Sequence, residues 1–186
     1  MLDQFDKRKS DVLDKDDKSF IGEWDDKIKD LCGAINLKED YYTTSSCSGR
    51  ILIMKDQEKK GPGVFLWVSH DVINFRILKN VLRKIKHNGF VKFKQEPCIM
   101  HVACRTLEKA QELVDKAREV GWKRSGIITT SKRFIVELMS TEKLEFLIMD
   151  SGHLLVAEEY LKIVVKKSNE NLKRTWEKIE KLEKLI

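Results

Sequence analysis

The sequence is poor in the residues that build the common cofactor fingerprints. Its 186 residues include nine glycines, two prolines and four cysteines. The glycines are too dispersed for a G-x-G-x-x-G turn or a P-loop, which removes the Rossmann dinucleotide and methyltransferase fingerprints and Walker-type phosphate binding. Cys32, Cys47, Cys98 and Cys104 include no C-x-x-C pair, and the nearest two have five residues between them. That spacing argues against a zinc knuckle or a redox motif and for a reducing compartment. No apolar run approaches the ~20 residues that span a bilayer. The first ten residues, M-L-D-Q-F-D-K-R-K-S, are charged and lack the apolar stretch of a signal peptide. The expectation is a cytoplasmic protein with no membrane partner.

Charge, by contrast, is abundant: 36 Lys and Arg face 30 Asp and Glu, net +6. Residues 1–30 hold ten acids and seven bases, and residues 158–186 hold six acids and eight bases, so the middle of the chain carries +7. A basic body fits a phosphate-rich partner such as RNA. A generally charge-rich surface of the thermophile kind accounts for the same numbers.

The length suits one domain over residues 1–186, large enough to bury a core without disulfides. Residues 1–38 read as helical, with Ile28, Leu31, Cys32 and Ile35 at helical spacing behind Asp25-Asp26. Residues 41–55 read as a hairpin, because β-formers flank the turn pair Ser48-Gly49. In residues 41–150 a strand–helix–Gly-aromatic–strand pattern then occurs twice. Residues 64–68 lead to a helix bearing Val72, Phe75, Leu78, Val81, Leu82 and Ile85, which stops at Asn88-Gly89 before the strand at Phe90. Residues 99–104 lead to a helix begun at Thr106, with Leu107, Ala110, Leu113, Val114 and Ala117 on one face, which stops at Gly121 before a strand over 122–130. This is a duplicated β-α-β unit. Two further strands, 134–139 and 144–149, precede a helix over 156–186 that packs on its own domain through Leu161, Val165, Leu172, Ile179 and Leu182. The fold class is α+β, a mixed α/β arrangement that is not Rossmann.

Polar breaks in apolar strands mark the candidate chemistry. Cys47, Ser48 and Arg50 gather a thiol, a hydroxyl and a guanidinium beside Gly49, a plausible anion cradle or an ordinary polar turn. Ser69-His70 ends a strand where α/β proteins place ligands, although Ser69 or Asp71 would also serve as an N-cap. His101 shares a strand face with Ile99 and Ala103, where a lone histidine is commonly a satisfied core residue. Gly126, after Arg124-Ser125, suggests a bulge or the close approach of a ligand. A Cys47–histidine nucleophile pair, or a metal site from His70, His101 and Cys47, lacks an orienting third residue in the one case and ligand spacing in the other. No metal is expected.

Four motifs, in this order, resemble one family closely: Ser45-Ser46-Cys47-Ser48-Gly49-Arg50-Ile51, then Trp67-Val68-Ser69-His70, then Glu96-Pro97 with His101-Val102, then Gly121 with Arg124-Ser125-Gly126-Ile127. They resemble the wybutosine-synthesising tRNA methyltransferases, the tRNA wybutosine-synthesising protein 3 family, in its single-domain archaeal form. The one visible departure is Gln95, where the family pattern has an aromatic residue. The resemblance implies a mixed, barrel-like sheet built on a duplicated unit. It implies methyl transfer from S-adenosyl-L-methionine to a ring nitrogen of a tricyclic guanosine, on the 3′ side of the anticodon of tRNA(Phe). On that reading Ser46, Cys47, Ser48, Gly49, Arg50, Ser69, Ser125 and Gly126 would hold the donor or a phosphate, and His101 or His70 would accept the proton lost from the base. Glu96 would orient that histidine or meet the donor's amino group, and Trp67 or Trp122 would stack on the base. A monomer is expected. The rival readings are an RNA-binding module without chemistry and a Cys47-dependent hydrolase, which alkylation of Cys47 would silence.

Overall fold

The computed structural model describes residues 3–14, 25–57 and 61–186. The elements run α1 (Gln4–Leu13), α2 (Asp26–Leu37), β1 (Tyr41–Cys47), β2 (Arg50–Lys55), β3 (Phe65–Ser69), α3 (Phe75–Lys84), β4 (Phe90–Glu96), β5 (Ile99–Cys104), α4 (Leu107–Glu119), β6 (Gly126–Thr129), β7 (Phe134–Met139), β8 (Leu144–Asp150), β9 (His153–Leu154) and α5 (Glu158–Glu183). The α+β class, the helical N-terminus and the long last helix are as the sequence predicts. The part of that N-terminal helix reading that falls on residues 15–24 lies outside the described residues.

The strands form two sheets, each hydrogen-bonded antiparallel throughout, in the orders β1-β5-β7-β6 and β3-β2-β4-β8-β9. The chain correspondingly divides into two compact units. The first comprises Met1–Ser48, Cys98–Thr141 and Trp176–Ile186, and the second comprises Gly49–Pro97 and Glu142–Thr175. The duplicated β-α-β pattern is present in both. In the first unit β5 and β6 run parallel with β7 between them; in the second, β3 and β4 run parallel with β2 between them.

The expected hairpin over 41–55 does not form. β1 pairs with β5, whereas β2 pairs with β3 and β4, so the chain leaves one sheet and enters the other at Ser48-Gly49. The local signal was sound, because Gly49 has φ +96°, a conformation costly for any residue with a Cβ. A positive-φ glycine reports that the chain bends; it does not report which strand is the partner. Ser48 is fixed at the bend by Asp25, whose carboxylate accepts from its N–H (2.8 Å) and its hydroxyl (3.1 Å).

In the first unit one sheet face is dry. Met100, Val102, Val136 and Leu138 meet Ile28, Leu31, Cys32 and Ile35 of α2, Ala110, Leu113, Val114 and Ala117 of α4, and Ile179 and Leu182 of α5. Trp122 belongs to this core, fully buried, with its indole N–H donating to Lys178 O at 3.1 Å. It therefore cannot stack on a substrate, and the strand expected over 122–130 is shortened to Gly126–Thr129 because residue 122 turns inward. Within this unit and among the described residues, the opposite face is covered by α1 over one half. There Phe5 and Val12 of α1 pack on Tyr42, Ala103 and Ile135. Arg105 clamps α1 in place, binding Asp3, Asp6 and Asp40, with its guanidinium 4.6 Å from the centre of the Phe5 ring.

In the second unit α3 starts at Phe75, three residues later than its apolar period suggests. Its N-cap is Asn74, which accepts from Ile77 N at 2.9 Å, rather than Ser69 or Asp71. It ends at Lys84, so Asn88-Gly89 opens β4 instead of capping the helix. α4 begins as expected, with Thr106 accepting from Lys109 N.

Candidate functional site

The open half of the first unit's sheet carries a polar row that crosses all four strands. Register places Ser45 of β1 opposite His101 of β5, His101 opposite Glu137 of β7, and Glu137 opposite Gly126 of β6. Directly opposed residues share a face. Ser45 Oγ lies 2.7 Å from His101 Nδ1, and His101 Nε2 lies 3.0 Å from Glu137 Oε2. A carboxylate can only accept, so Nε2 carries a proton, and in the neutral ring Nδ1 is then the acceptor of the serine hydroxyl. Ser45 is exposed, while His101 and Glu137 are half-buried behind it. A β-bulge between Thr43 and Ser45 turns this serine onto the histidine's face. At the far end of the row a Cβ on Gly126 would meet open space, so no side chain crowds Glu137 from β6.

The other candidates in the first unit divide by what they bond. Cys47, paired with Ile99, lies on the face of His101, and Ser46, paired with the core residue Met100, lies on the other. Both are half-buried. Ser48 is fully buried and engaged by Asp25. Ser125 is also buried: its hydroxyl donates to Trp122 O at 2.6 Å and accepts from Met139 N at 3.2 Å, while Arg118 holds its carbonyl. These two hydroxyls serve the fold. The bulge expected at Gly126 lies just beyond it, between Ile127 and Thr129. Burial, together with Asp40, pushes the Cys104 thiol up to about 12, which marks it as an inert core residue.

In the second unit Arg50 and Glu96 face each other on β2 and β4, Nε to Oε2 2.8 Å, and the Arg50 guanidinium lies 5.3 Å from the exposed Phe65 ring. Glu96 is thus the partner of Arg50, and the carboxylate that orients His101 is Glu137. Ser69 forms a local turn, with its hydroxyl donating to Asp71 O and accepting from Asp71 N. His70 follows it, half-buried, and Trp67 is half-buried on β3. Gln95, at the position where an aromatic was expected, is fully buried. Its amide donates to Glu96 O (3.0 Å) and Glu142 O (3.1 Å) and accepts from Asn171 Nδ2 (2.7 Å), so a polar network fills the aromatic's place.

Sequence reasoning missed Glu137 as a site residue and left Ser45 as a motif letter without a role. Glu137 did leave a signal, as the lone charge in the apolar strand F-I-V-E-L-M. No helix among the described residues is long and apolar enough to cross a membrane.

Comparison with known proteins agrees with the family resemblance of the sequence. The sequence profile of the family described as Methyltransferase TYW3 matches residues 6–186. A Pyrococcus horikoshii protein named tRNA(Phe) 7-((3-amino-3-carboxypropyl)-4-demethylwyosine(37)-N(4))-methyltransferase 1 is 37% identical over 169 residues, covering 89% of this chain and 85% of the relative. A Danio rerio protein named tRNA wybutosine-synthesizing protein 3 homolog is 36% identical over 184 residues, covering 92% of this chain and 72% of the relative. Among solved structures, the PH1069 protein of Pyrococcus horikoshii superposes with a TM-score of 0.88 at 35% identity, covering 97% of this chain and 92% of that one. The chain belongs to the TYW3 methyltransferase family.

Proposed function

We propose that the protein methylates a ring nitrogen of the tricyclic guanosine derivative beside the anticodon of tRNA(Phe), with S-adenosyl-L-methionine as methyl donor, acting as a cytoplasmic monomer. Family membership supports the reaction class. The observation that carries the residue roles is the row Ser45–His101–Glu137, a hydrogen-bonded path from an exposed hydroxyl to a carboxylate.

The donor would supply an electrophilic methyl on a sulfonium. In the transfer the ring nitrogen gains an N–CH3 bond, the S–CH3 bond breaks, and the nitrogen's proton must leave. Ser45 Oγ would take that proton as its own passes to His101 Nδ1, and Glu137 would stabilise the resulting imidazolium. A Cβ at Gly126 would meet nothing within 4 Å, so β6 would not obstruct a base approaching the row. Arg50, half-exposed and oriented by Glu96, is suited to a carboxylate or a phosphate. Within the second unit, half-buried Ser69, next to His70 and paired in register with Ile51, and the backbone at Gly49 would join Arg50 in binding that group.

The test is incubation with S-adenosyl-L-methionine and tRNA(Phe) carrying the unmethylated tricyclic base, followed by digestion and mass measurement of the nucleosides. One added methyl is expected; an unchanged nucleoside overturns the assignment.

A further inference from the structure

The net charge of the chain is not shared between its units. The second unit holds 17 basic and 10 acidic residues, net +7, and the first holds 19 and 20, net −1. Within the second unit the imbalance is steepest over residues 72–95, which contain seven bases and no acid. Three of the seven face carboxylates: Lys79 pairs with Glu158, Lys92 with Asp56 and Lys94 with Glu145. Arg76, Arg83 and Lys84 are exposed on α3. Arg76 and Arg83 stand seven residues apart, two helical turns, on one stripe about 10 Å long, and Lys84 flanks it on the same exposed side.

Helix stability does not explain this pattern. A cation in the last turn complements the helix dipole, which accounts for Arg83 and Lys84; a cation in the first turn opposes it. α1, α2, α4 and α5 each carry an acid in the first turn, and α3 carries none, with Arg76 there instead. The helix is also held rigidly. Asn169 binds both the N–H (3.0 Å) and the carbonyl (2.7 Å) of Ile73, Asn74 caps the first turn, and Leu78 and Leu82 are buried. A preformed cationic face loses little freedom on binding.

We propose that the Arg76–Arg83–Lys84 face of α3 docks the phosphate backbone of a helical stem of the RNA substrate. The proposal rests on the tRNA reading above. Its chemistry is charge neutralisation with counterion release, which reads no sequence and depends steeply on salt.

The experiment compares the whole protein with the triple variant Arg76→Gln/Arg83→Gln/Lys84→Gln. An equally charged control, Lys29→Gln/Lys181→Gln/Lys184→Gln, removes exposed lysines from the first unit. Fluorescently labelled tRNA(Phe) is titrated at several salt concentrations, and methyl transfer is followed in parallel. For the α3 variant the slope of log Kobs against log[salt] should fall by about 2–3, since each phosphate contact contributes about 0.7–0.9. Binding near physiological salt should weaken at least tenfold, KM for tRNA should rise to match, and kcat should hold. The control should behave as wild type. Equal losses in both variants would reduce the effect to net charge and overturn the proposal, as would an unchanged slope, the result expected if α3 faced an acidic protein. Salt-dependent binding lost in the α3 variant without methyl transfer in any form would sustain the docking face and sink the enzymatic reading.

Discussion

The two units share a plan and differ in what they do with it. Each has a β-α-β crossover that straddles an antiparallel strand, β7 in one and β2 in the other. Each resumes after its helix with a glycine and an aromatic. Trp122 then enters the core of the first unit, whereas Phe90 in the second is 46% exposed. The first unit is near neutral and places its polar groups as a row on an open sheet face. The second carries the positive charge and buries its polar network at Gln95. A common scaffold thus fixes strand order and leaves the polar residues to be assigned separately. The proposed division is proton handling in one unit and phosphate binding in the other.

Removing the row should produce the largest effect. His101→Ala should lower kcat by about 10²–10⁴-fold, the usual worth of a positioned acid–base group. Glu137→Gln should lower it by about 10–100-fold, because the amide no longer stabilises an imidazolium formed as the proton is transferred. Neither change should alter tRNA affinity measured directly, since both lie in the near-neutral unit. A matched loss of affinity, or a kcat unmoved by Glu137→Gln, would dissolve the contrast between the units.

Second in size is the network of the other unit. Gln95→Leu is close to isosteric but leaves Glu142 O, Glu96 O and the Asn171 amide without the partners they have now. The expected cost is about 2–3 kcal/mol, because stranded buried polar groups are more expensive than the net worth of their hydrogen bonds. In a chain of this size that lowers Tm by roughly 4–12 °C. Adding Asn171→Leu should recover part of the loss, since the two side chains act on each other. Simple addition of the two penalties would show that the pair is not coupled.

How far the sequence could be read follows from the same physics. Helix faces were legible because burial repeats with the helical period: Ile28, Leu31, Cys32 and Ile35 are all buried in α2, and Thr106 caps α4. Strand partners were not, because propensity is local and pairing is not; Tyr41–Lys55 contained two good strands and a real bend yet no hairpin. In the candidate site His101 and its face could be derived from alternation. Its partners could not, because 56 residues separate it from Ser45 and 36 from Glu137, and only register joins them. Glu96 was the nearer carboxylate in sequence and pairs with Arg50 instead. Trp122 looked like a stacking residue because an aromatic beside glycine reads alike in a core and at a surface.

The smallest predicted effect tests whether the second unit's ionic lattice is electrostatic or merely space-filling. Glu145 receives Lys143 at 2.7 Å and Lys94 at 3.1 Å, and the hydrogen bond from Lys143, then that from Lys94, hold its carboxyl below the usual carboxylate range. Glu112 in the first unit is lowered likewise, first by Lys109 and then by Lys116. A carboxylate with a depressed folded-state value adds stability that is complete above its unfolded value, near ~4.3, and is lost as pH falls through the folded one. Glu145→Gln should therefore destabilise by less than about 1 kcal/mol at neutral pH, as partly exposed pairs do. The gap from wild type should begin to close as pH falls below ~4.3 and vanish only below the depressed folded value, where residue 145 is uncharged in both proteins. Urea unfolding at a series of pH values measures the gap. The unit around Glu145 has a surplus of cations, so the loss of this anion should be felt more there than Glu112→Gln is felt in the near-neutral unit. A gap constant with pH would mean that Glu145 contributes packing alone; equal gaps for the two variants would mean that the surplus charge of the second unit does not reach its folded stability.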